Sequence, residues 1–260
     1  NAWNNQELSF VNRANDISWQ KRKEFAIGFD AAMFKKKLFL DASYFTTESY
    51  DQVTEMVNLY PTLLGTGGTK VYSNYNADRI NGFELGLRYE TVFSKKTALT
   101  LGTTFIATTR EQTKIDEPIY NNSYQYVVGT DPKSIRGLAS NGLYSPTDFD
   151  ALGNLLPSFA TPTWGKVAPG DIKYIDYNGD KIVNSDDAHI IGQYAPNYQY
   201  SFYFNLKVQQ FELYALGVGQ NGADGTRSGN YFRAYGTLKY PEHLKEAYSA
   251  TNPDVNAVYP

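Results

Sequence analysis

The segment from Asp176 to Asp187 has the residue types and spacing that best match a known kind of ligand set. Oxygen-bearing side chains recur at alternate positions, and a tight loop of this kind directs six or more oxygens towards a calcium ion. The candidate ligands are the side chains of Asp176, Asn178, Asp180, Asn184 and Asp187 and the backbone carbonyl of Ile182. The pattern predicts a calcium loop, with Ca²⁺ as the cofactor.

Two departures from the calcium-loop pattern leave a second interpretation open. Lys181 lies at the sixth position, where such loops have a glycine that permits the sharp turn. Asp187 at the last position is shorter than the usual glutamate and reaches a metal less easily. In the alternative, the Asp and Asn side chains accept hydrogen bonds from the loop's own backbone, and no metal binds.

Other site chemistry is weakly represented in the sequence. Two histidines and no cysteine exclude a thiolate metal site, a cysteine nucleophile and a disulfide framework. His189 and His243 lack a partner at ligand spacing, and no carboxylate pair or Ser/His/Asp arrangement stands out. The net charge of −3 provides no basic field for nucleic acid. We therefore expect a protein that is not an enzyme and does not bind nucleic acid.

Aromatic residues make up 15% of the chain, and 22 of them are tyrosines. A tyrosine ring is apolar while its hydroxyl is polar, which suits a surface between an apolar phase and water. Aromatic rings beside Asn, Asp and Ser also suit the capture of a carbohydrate or a peptide. The candidate substrate-binding residues are Tyr124, Tyr126, Tyr144 and Trp164. The alternative is that these rings pack the long loop against itself.

Hairpins with two-residue alternation of apolar side chains are expected to position these segments. The hairpins are predicted at about 24–45, 82–106 and 198–218, with long loops at about 46–80, 108–197 and 219–260. Ser9–Val11 and Ile172–Tyr174 are two further candidate strands. Alternating short and long connections are typical of an outer-membrane barrel, although a soluble β-sandwich gives a similar alternation. A membrane helix needs about 20 consecutive apolar residues, and no apolar run in the sequence is that long.

Several motifs resemble one family of membrane proteins. Asp171–Asp180, then Ile191-Gly192 and Pro196-Asn197-Tyr198, resemble the "GDIKYxDxNGDGxI…IG…NP" motif of the C-terminal part of SusC/RagA-like TonB-dependent outer-membrane transporters. Phe25–Asp30 and Asn81–Leu85 are similar to two strands of that family. The resemblance implies an all-β chain that forms part of a large antiparallel transmembrane β-barrel of about 22 strands. The plug domain of the family is not expected within these 260 residues.

The resemblance also implies a function and a location. It implies active import of a bulky nutrient, a glycan or an oligopeptide, across the outer membrane of a Gram-negative bacterium. The implied partners are a SusD-like surface lipoprotein acting as a lid, the TonB complex, the lipid bilayer and the nutrient itself. The alternative is a soluble, calcium-stabilised, β-rich glycan-binding or adhesion module, which would bury the apolar face of its hairpins within itself.

Overall fold

The computed structural model describes residues 17–58, 71–227, 232, 240–249, 251–255 and 257. Over these residues the fold is all-β, with short 3-10 turns between strands. The strands are β1 (Lys21–Met33), β2 (Leu38–Glu55), β3 (Tyr72–Ser94), β4 (Thr97–Lys114), β5 (Ser134–Gly137), β6 (Ser140–Leu143), β7 (Thr161–Pro162), β8 (Ile172–Tyr174), β9 (Ile182–Val183), β10 (His189–Gln193), β11 (Tyr198–Val208) and β12 (Phe211–Asn221). Within the described part of the chain, no helix has the length and apolar character needed to cross a membrane.

The long strands form a single six-stranded sheet in the order β1-β2-β3-β4-β11-β12. Every neighbouring pair is antiparallel, and each strand pairs with the next long strand along the chain. Tight turns join β1 to β2, β3 to β4 and β11 to β12, as the predicted hairpins require. The sheet is therefore a meander in which the long connections all leave from one end.

The strands extend further than the alternation of apolar residues predicts. β2 continues to Glu55 and β3 begins at Tyr72, so paired strand replaces much of the predicted loop 46–80. β4 continues to Lys114, inside the predicted loop 108–197. These strand ends were missed because their side chains are polar on both faces, whereas the backbone ladder continues. Alternation reports the apolar character of one face and does not report backbone pairing.

The described residues divide into two compact units. The sheet unit holds the described residues up to Ile119 together with Tyr126–Lys133 and Ala195–Ala223. The loop unit holds Tyr120–Gln125, Ser134–Tyr194 and the described residues from Asp224 onward.

The loop unit has short strands and an interior of its own. Its strands pair in three small sheets, β5 with β10, β6 with β8 and β7 with β9. The predicted strand Ile172–Tyr174 is β8, in one of these small sheets, while Ser9–Val11 lies outside the described residues. Buried side chains of the unit include Leu143, Tyr144, Val183 and Asp187.

Candidate functional site

One face of the six-stranded sheet carries apolar side chains on every strand. Cross-strand partners share a face, and the register continues one row from Ile27 through Tyr44, Phe83 and Ala107 to Tyr198. The large exposed apolar residues on this face are Phe25, Ile27, Phe29, Tyr44, Phe83, Leu87, Tyr89, Phe105, Tyr198, Tyr200, Phe202, Val208, Phe211 and Leu213. We call this the apolar face. Exposed apolar surface spread over six strands marks contact with a membrane or another protein.

The opposite face of the sheet carries many small and polar side chains, and on β12 it also carries the exposed apolar residues Tyr214, Leu216 and Val218. Its polar residues include Glu84, Arg88, Glu90, Gln199 and Asn205. Ser43 Oγ donates to Glu84 Oε2 at 3.1 Å, and Asn205 Nδ2 donates to Glu212 Oε1 at 2.8 Å. These hydrogen bonds between exposed side chains are typical of a surface in contact with water.

A row of charged side chains ends the apolar face on the side of the long connections. Lys23, Glu48, Arg79 and Glu111 are successive cross-strand partners on that face. Lys23 Nζ lies 2.7 Å from Glu48 Oε2, and Arg79 lies 3.9 Å from both glutamates. Charges are rarely placed against hydrocarbon, so the row marks the edge of the apolar surface. Strand β11, which contributes to this surface, has 11 residues. A tilted strand that crosses a bilayer has about 9–11 residues.

In the loop unit, Asp176 caps the start of the predicted calcium loop. Its carboxylate accepts hydrogen bonds from the backbone N–H groups of Gly179, at 2.7 Å, and of Lys181, at 2.9 Å. Lys181 has a φ of 68°, a left-handed conformation that favours glycine. The lysine thus adopts the backbone conformation for which the calcium-loop pattern has a glycine, and the turn closes without one.

Asp187, at the other end of this loop, is fully buried. Its Oδ1 accepts from the N–H groups of Tyr177 and Asn178, at 2.8 and 3.2 Å, and its Oδ2 accepts from the N–H of Asn184 at 2.9 Å. The last of these bonds belongs to a capping box at the 3-10 turn Ser185–Asp187. The ring of His189 stacks on Tyr177 with centroids 3.8 Å apart. The Asp187 carboxylate therefore forms hydrogen bonds to the backbone near both ends of the loop.

The six predicted calcium ligands do not form an assembled acidic cluster. Within the residues that the structure describes, no group of three or more His, Asp or Glu side chains is arranged to hold a metal ion. A calcium ion needs six to eight oxygens that converge on one point. The carboxylate oxygens of this loop instead accept hydrogen bonds from the loop's own backbone N–H groups. This arrangement matches the self-capped alternative. Calcium binding stays a prediction.

Tyr144 does not fit the predicted substrate-binding role. Its side chain is 1% exposed, and its ring meets Phe149 and Phe159 edge to face at 5.8 and 6.2 Å. Burial, followed by the nearby Asp148 and Asp171, raises the pKa of the Tyr144 hydroxyl. The ring packs the interior of the loop unit, because its apolar neighbours enclose it. For this residue the burial favours the packing alternative, and substrate binding stays a prediction.

The other three aromatic candidates lie in different surroundings. Tyr124 is half-buried, donates from its hydroxyl to the carbonyl oxygen of Asp186 at 2.7 Å, and packs edge-on against Tyr177. Tyr126 is half-buried in the sheet unit. Trp164 is 54% exposed. Of the four predicted residues, Trp164 has the ring most open to a ligand.

Sequence reasoning missed the ion pair between Lys173 and Asp148. Lys173 Nζ lies 2.8 Å from Asp148 Oδ2, and the side chains are 22% and 13% exposed. Burial favours the neutral acid, but the hydrogen bonds from Lys173 and from the Ser145 N–H outweigh it and lower the pKa of Asp148. Lys173 also lies 4.9 Å from the Phe159 ring centroid. A capping box joins Ser145 and Asp148, and that spacing is visible in the sequence, whereas the distant lysine is not.

Comparison with known proteins gives distant relatives of one kind. No known family profile matches the chain. The chain is 23% identical to TonB-dependent receptor P26 of Formosa agariphila, over 92% of this chain and 24% of that protein. It is 20% identical to TonB-dependent receptor P3 of the same organism, over 77% of this chain and 20% of that protein.

Solved structures of the RagAB peptide transporter share the fold. The match to one of them covers 94% of this chain and 26% of the transporter chain, with a TM-score of 0.65 and 18% identity. The RagAB peptide importer in its open-open state gives a TM-score of 0.67 at 17% identity over the same shares. The resemblance to SusC/RagA-like TonB-dependent transporters is confirmed. The chain spans about a quarter of the length of these relatives and solved structures, whose names describe receptors and transporters.

Proposed function

We propose that this chain forms part of the wall and the extracellular loops of a TonB-dependent, SusC-like transporter. The whole protein closes into a barrel of about 22 strands in the outer membrane of a Gram-negative bacterium and imports a bulky nutrient. The six-stranded sheet supplies wall strands, and the loop unit belongs to the long extracellular connections. Parts of the protein beyond this chain form the plug and contact the TonB complex.

The apolar face is the observation that carries this proposal. Phe29, Phe202 and Leu213 are 58%, 56% and 61% exposed, although each lies within a regular paired strand. A soluble sheet covers such a face with a second layer, whereas a membrane barrel presents it to lipid. The charged row from Lys23 to Glu111 ends the face where polar extracellular strand ends are expected.

An oligopeptide is the favoured substrate class, with a SusD-like lipoprotein as lid. Support comes from the similar structures, which are of RagAB, a peptide transporter. The exposed ring of Trp164 in the loop unit is available for contact with substrate or lid. A glycan is the other candidate cargo, since a flat aromatic ring also stacks on sugars.

The intact mass of the native polypeptide tests the proposal. Extraction of the outer membrane with detergent is expected to yield a polypeptide several-fold heavier than the 29.2 kDa of this chain. Deletion of its gene is expected to abolish uptake of a labelled oligopeptide pool while leaving uptake of a free amino acid unchanged. A native polypeptide near 29.2 kDa in the water-soluble fraction would contradict the proposal and favour the soluble calcium-stabilised module.

A further inference from the structure

The three tight turns of the sheet unit carry a concentration of lysines at one end of the sheet. Residues 33–38, 91–98 and 206–212 contain six lysines and a single acidic residue, Glu212. The lysines are Lys35, Lys36, Lys37, Lys95, Lys96 and Lys207, and all six are exposed. We call them the lysine rim. They lie at the opposite end of the strands from the charged row that contains Glu48 and Glu111.

Backbone hydrogen bonds join the turns to neighbouring strands and to one another. The Lys37 carbonyl accepts from the N–H of Glu90 at 2.7 Å, and the Lys96 carbonyl accepts from the N–H of Gln209 at 2.6 Å. The first turn holds Lys35 and Lys36 in the left-handed region, with φ of 56° and 61°. Their positions are therefore fixed by the sheet. No described residue forms an ion pair with a rim lysine, in contrast to Lys23 and Arg79 in the charged row.

Exposed aromatic side chains lie beside these lysines. Phe34 is 73% exposed in the first turn, Phe93 is 66% exposed just before the second, and Phe211 is 71% exposed just after the third. Phe211 lies on the apolar face, opposite Val208. Apolar rings next to ammonium groups on flexible stems suit the boundary between acyl chains and headgroups, where lysine extends its charge into the polar layer.

We infer that the lysine rim binds the phosphate groups of anionic phospholipids in the membrane leaflet at the short-turn end of the sheet. The inference rests on the proposed function, because it needs the apolar face to lie in a bilayer. Three things favour a lipid surface over an acidic protein. The positive charge lies at the end of the strands where the apolar face stops, five of the six lysines lie in the first two turns, and aromatic rings accompany it, whereas Lys207 lies on the opposite face across from Glu212. An unpaired lysine near an anionic leaflet is attracted to it electrostatically.

The test compares how phosphatidylglycerol and phosphatidylcholine associate with the protein. The full-length native polypeptide is reconstituted in phosphatidylcholine vesicles that contain a small fraction of either spin-labelled lipid, and the motionally restricted fraction is measured. We expect the wild type to favour phosphatidylglycerol at low salt and to lose this preference at high salt. The triple variant K35Q/K36Q/K95Q is expected to reduce the preference at least about threefold, since one lysine near the surface contributes up to about fivefold.

A matched variant controls for net charge. K133Q/K166Q/K245Q removes three exposed lysines outside the rim and is expected to keep the wild-type preference. An equal loss in both variants, or a wild type without any preference, would overturn the inference. A wild type without preference whose rim lysines cross-link to a periplasmic protein would overturn it in favour of a protein partner. Failure to insert into any vesicle would instead contradict the proposed function, and the inference with it.

Discussion

The sheet unit and the loop unit place their apolar side chains in opposite ways. In the sheet unit, rings such as Phe29 and Phe202 are more than half exposed while their backbone is fully paired. In the loop unit, Tyr144, directly after β6, and Val183, in the two-residue strand β9, are 1% and 0% exposed. Regular backbone pairing and an apolar interior are therefore separate sources of order. The loop unit has its own interior, whereas the apolar face of the sheet is not covered by any other described residue.

A charge placed on the apolar face is expected to have the largest effect. Phe29 lies near the middle of that face, between the charged row and the lysine rim. Phe29→Arg is expected to destabilise the full-length protein in vesicles by about 2–4 kcal/mol, because the charge would lie near the bilayer midplane. Urea unfolding of the reconstituted protein measures this loss.

The matched control for this variant is on the same strand but on the opposite face. Ala26 points away from the apolar face, opposite Phe45. Ala26→Arg adds the same charge, and we expect it to change the unfolding free energy by less than about 1 kcal/mol. Equal destabilisation by the two variants would contradict the assignment of lipid contact to the apolar face alone, and the contrast between the two units would lose its basis.

Removal of the buried carboxylate is the largest change expected within the loop unit. Asp187→Ala leaves the N–H groups of Tyr177, Asn178 and Asn184 without their acceptor. Because the Asp187 carboxylate that accepts these bonds is fully buried, local stability is expected to fall by about 2 kcal/mol, seen as faster hydrogen exchange over 172–193. Exchange in β1–β4 is expected to stay unchanged.

The neighbouring Asp180 provides the comparison for this variant. It is exposed, and its carboxylate accepts from the N–H of Ile182 at 2.8 Å. In Asp180→Ala, water replaces the lost acceptor. The opening free energy of the loop, measured by hydrogen exchange, is therefore expected to change by less than about 0.5 kcal/mol. If both variants destabilise the loop alike, burial of Asp187 is not what secures it.

Features that depend on residues close together in sequence could be predicted, whereas features that depend on residues far apart in sequence could not. The hairpin strands around Phe29 and Phe202 follow from local alternation, and the short turns follow from the polar residues between them. The polar strand ends at Glu48 and Arg79 were missed, because pairing there depends on the neighbouring strand and leaves no apolar pattern. The loop motif was found, whereas the burial of Asp187 and Tyr144 was not. Burial depends on contacts between residues far apart in sequence, such as Asp148 with Lys173.

The pH dependence of the loop unit is expected to be smaller than these effects. The pKa of Asp148 is below its usual value, so its ion pair with Lys173 stabilises the folded state above the unfolded pKa of about 3.9. That contribution is lost as the pH falls through the lower, folded-state pKa. Protection of 145–174 against exchange is expected to drop by about 1 kcal/mol on acidification, and Asp148→Asn to remove this dependence. An unchanged pH profile in Asp148→Asn would show that another group titrates.

Calcium is expected to give the smallest change, and its titration decides between the two interpretations of the loop. The Asp176 and Asp187 carboxylates already accept backbone hydrogen bonds. In a self-capped loop, the opening free energy measured by hydrogen exchange is therefore expected to agree within about 0.5 kcal/mol between calcium and chelator. A metal at a hundred times its Kd would instead stabilise the loop by about 2.7 kcal/mol. Saturable protection by calcium that Asp176→Ala and Asp180→Ala abolish would establish the metal site.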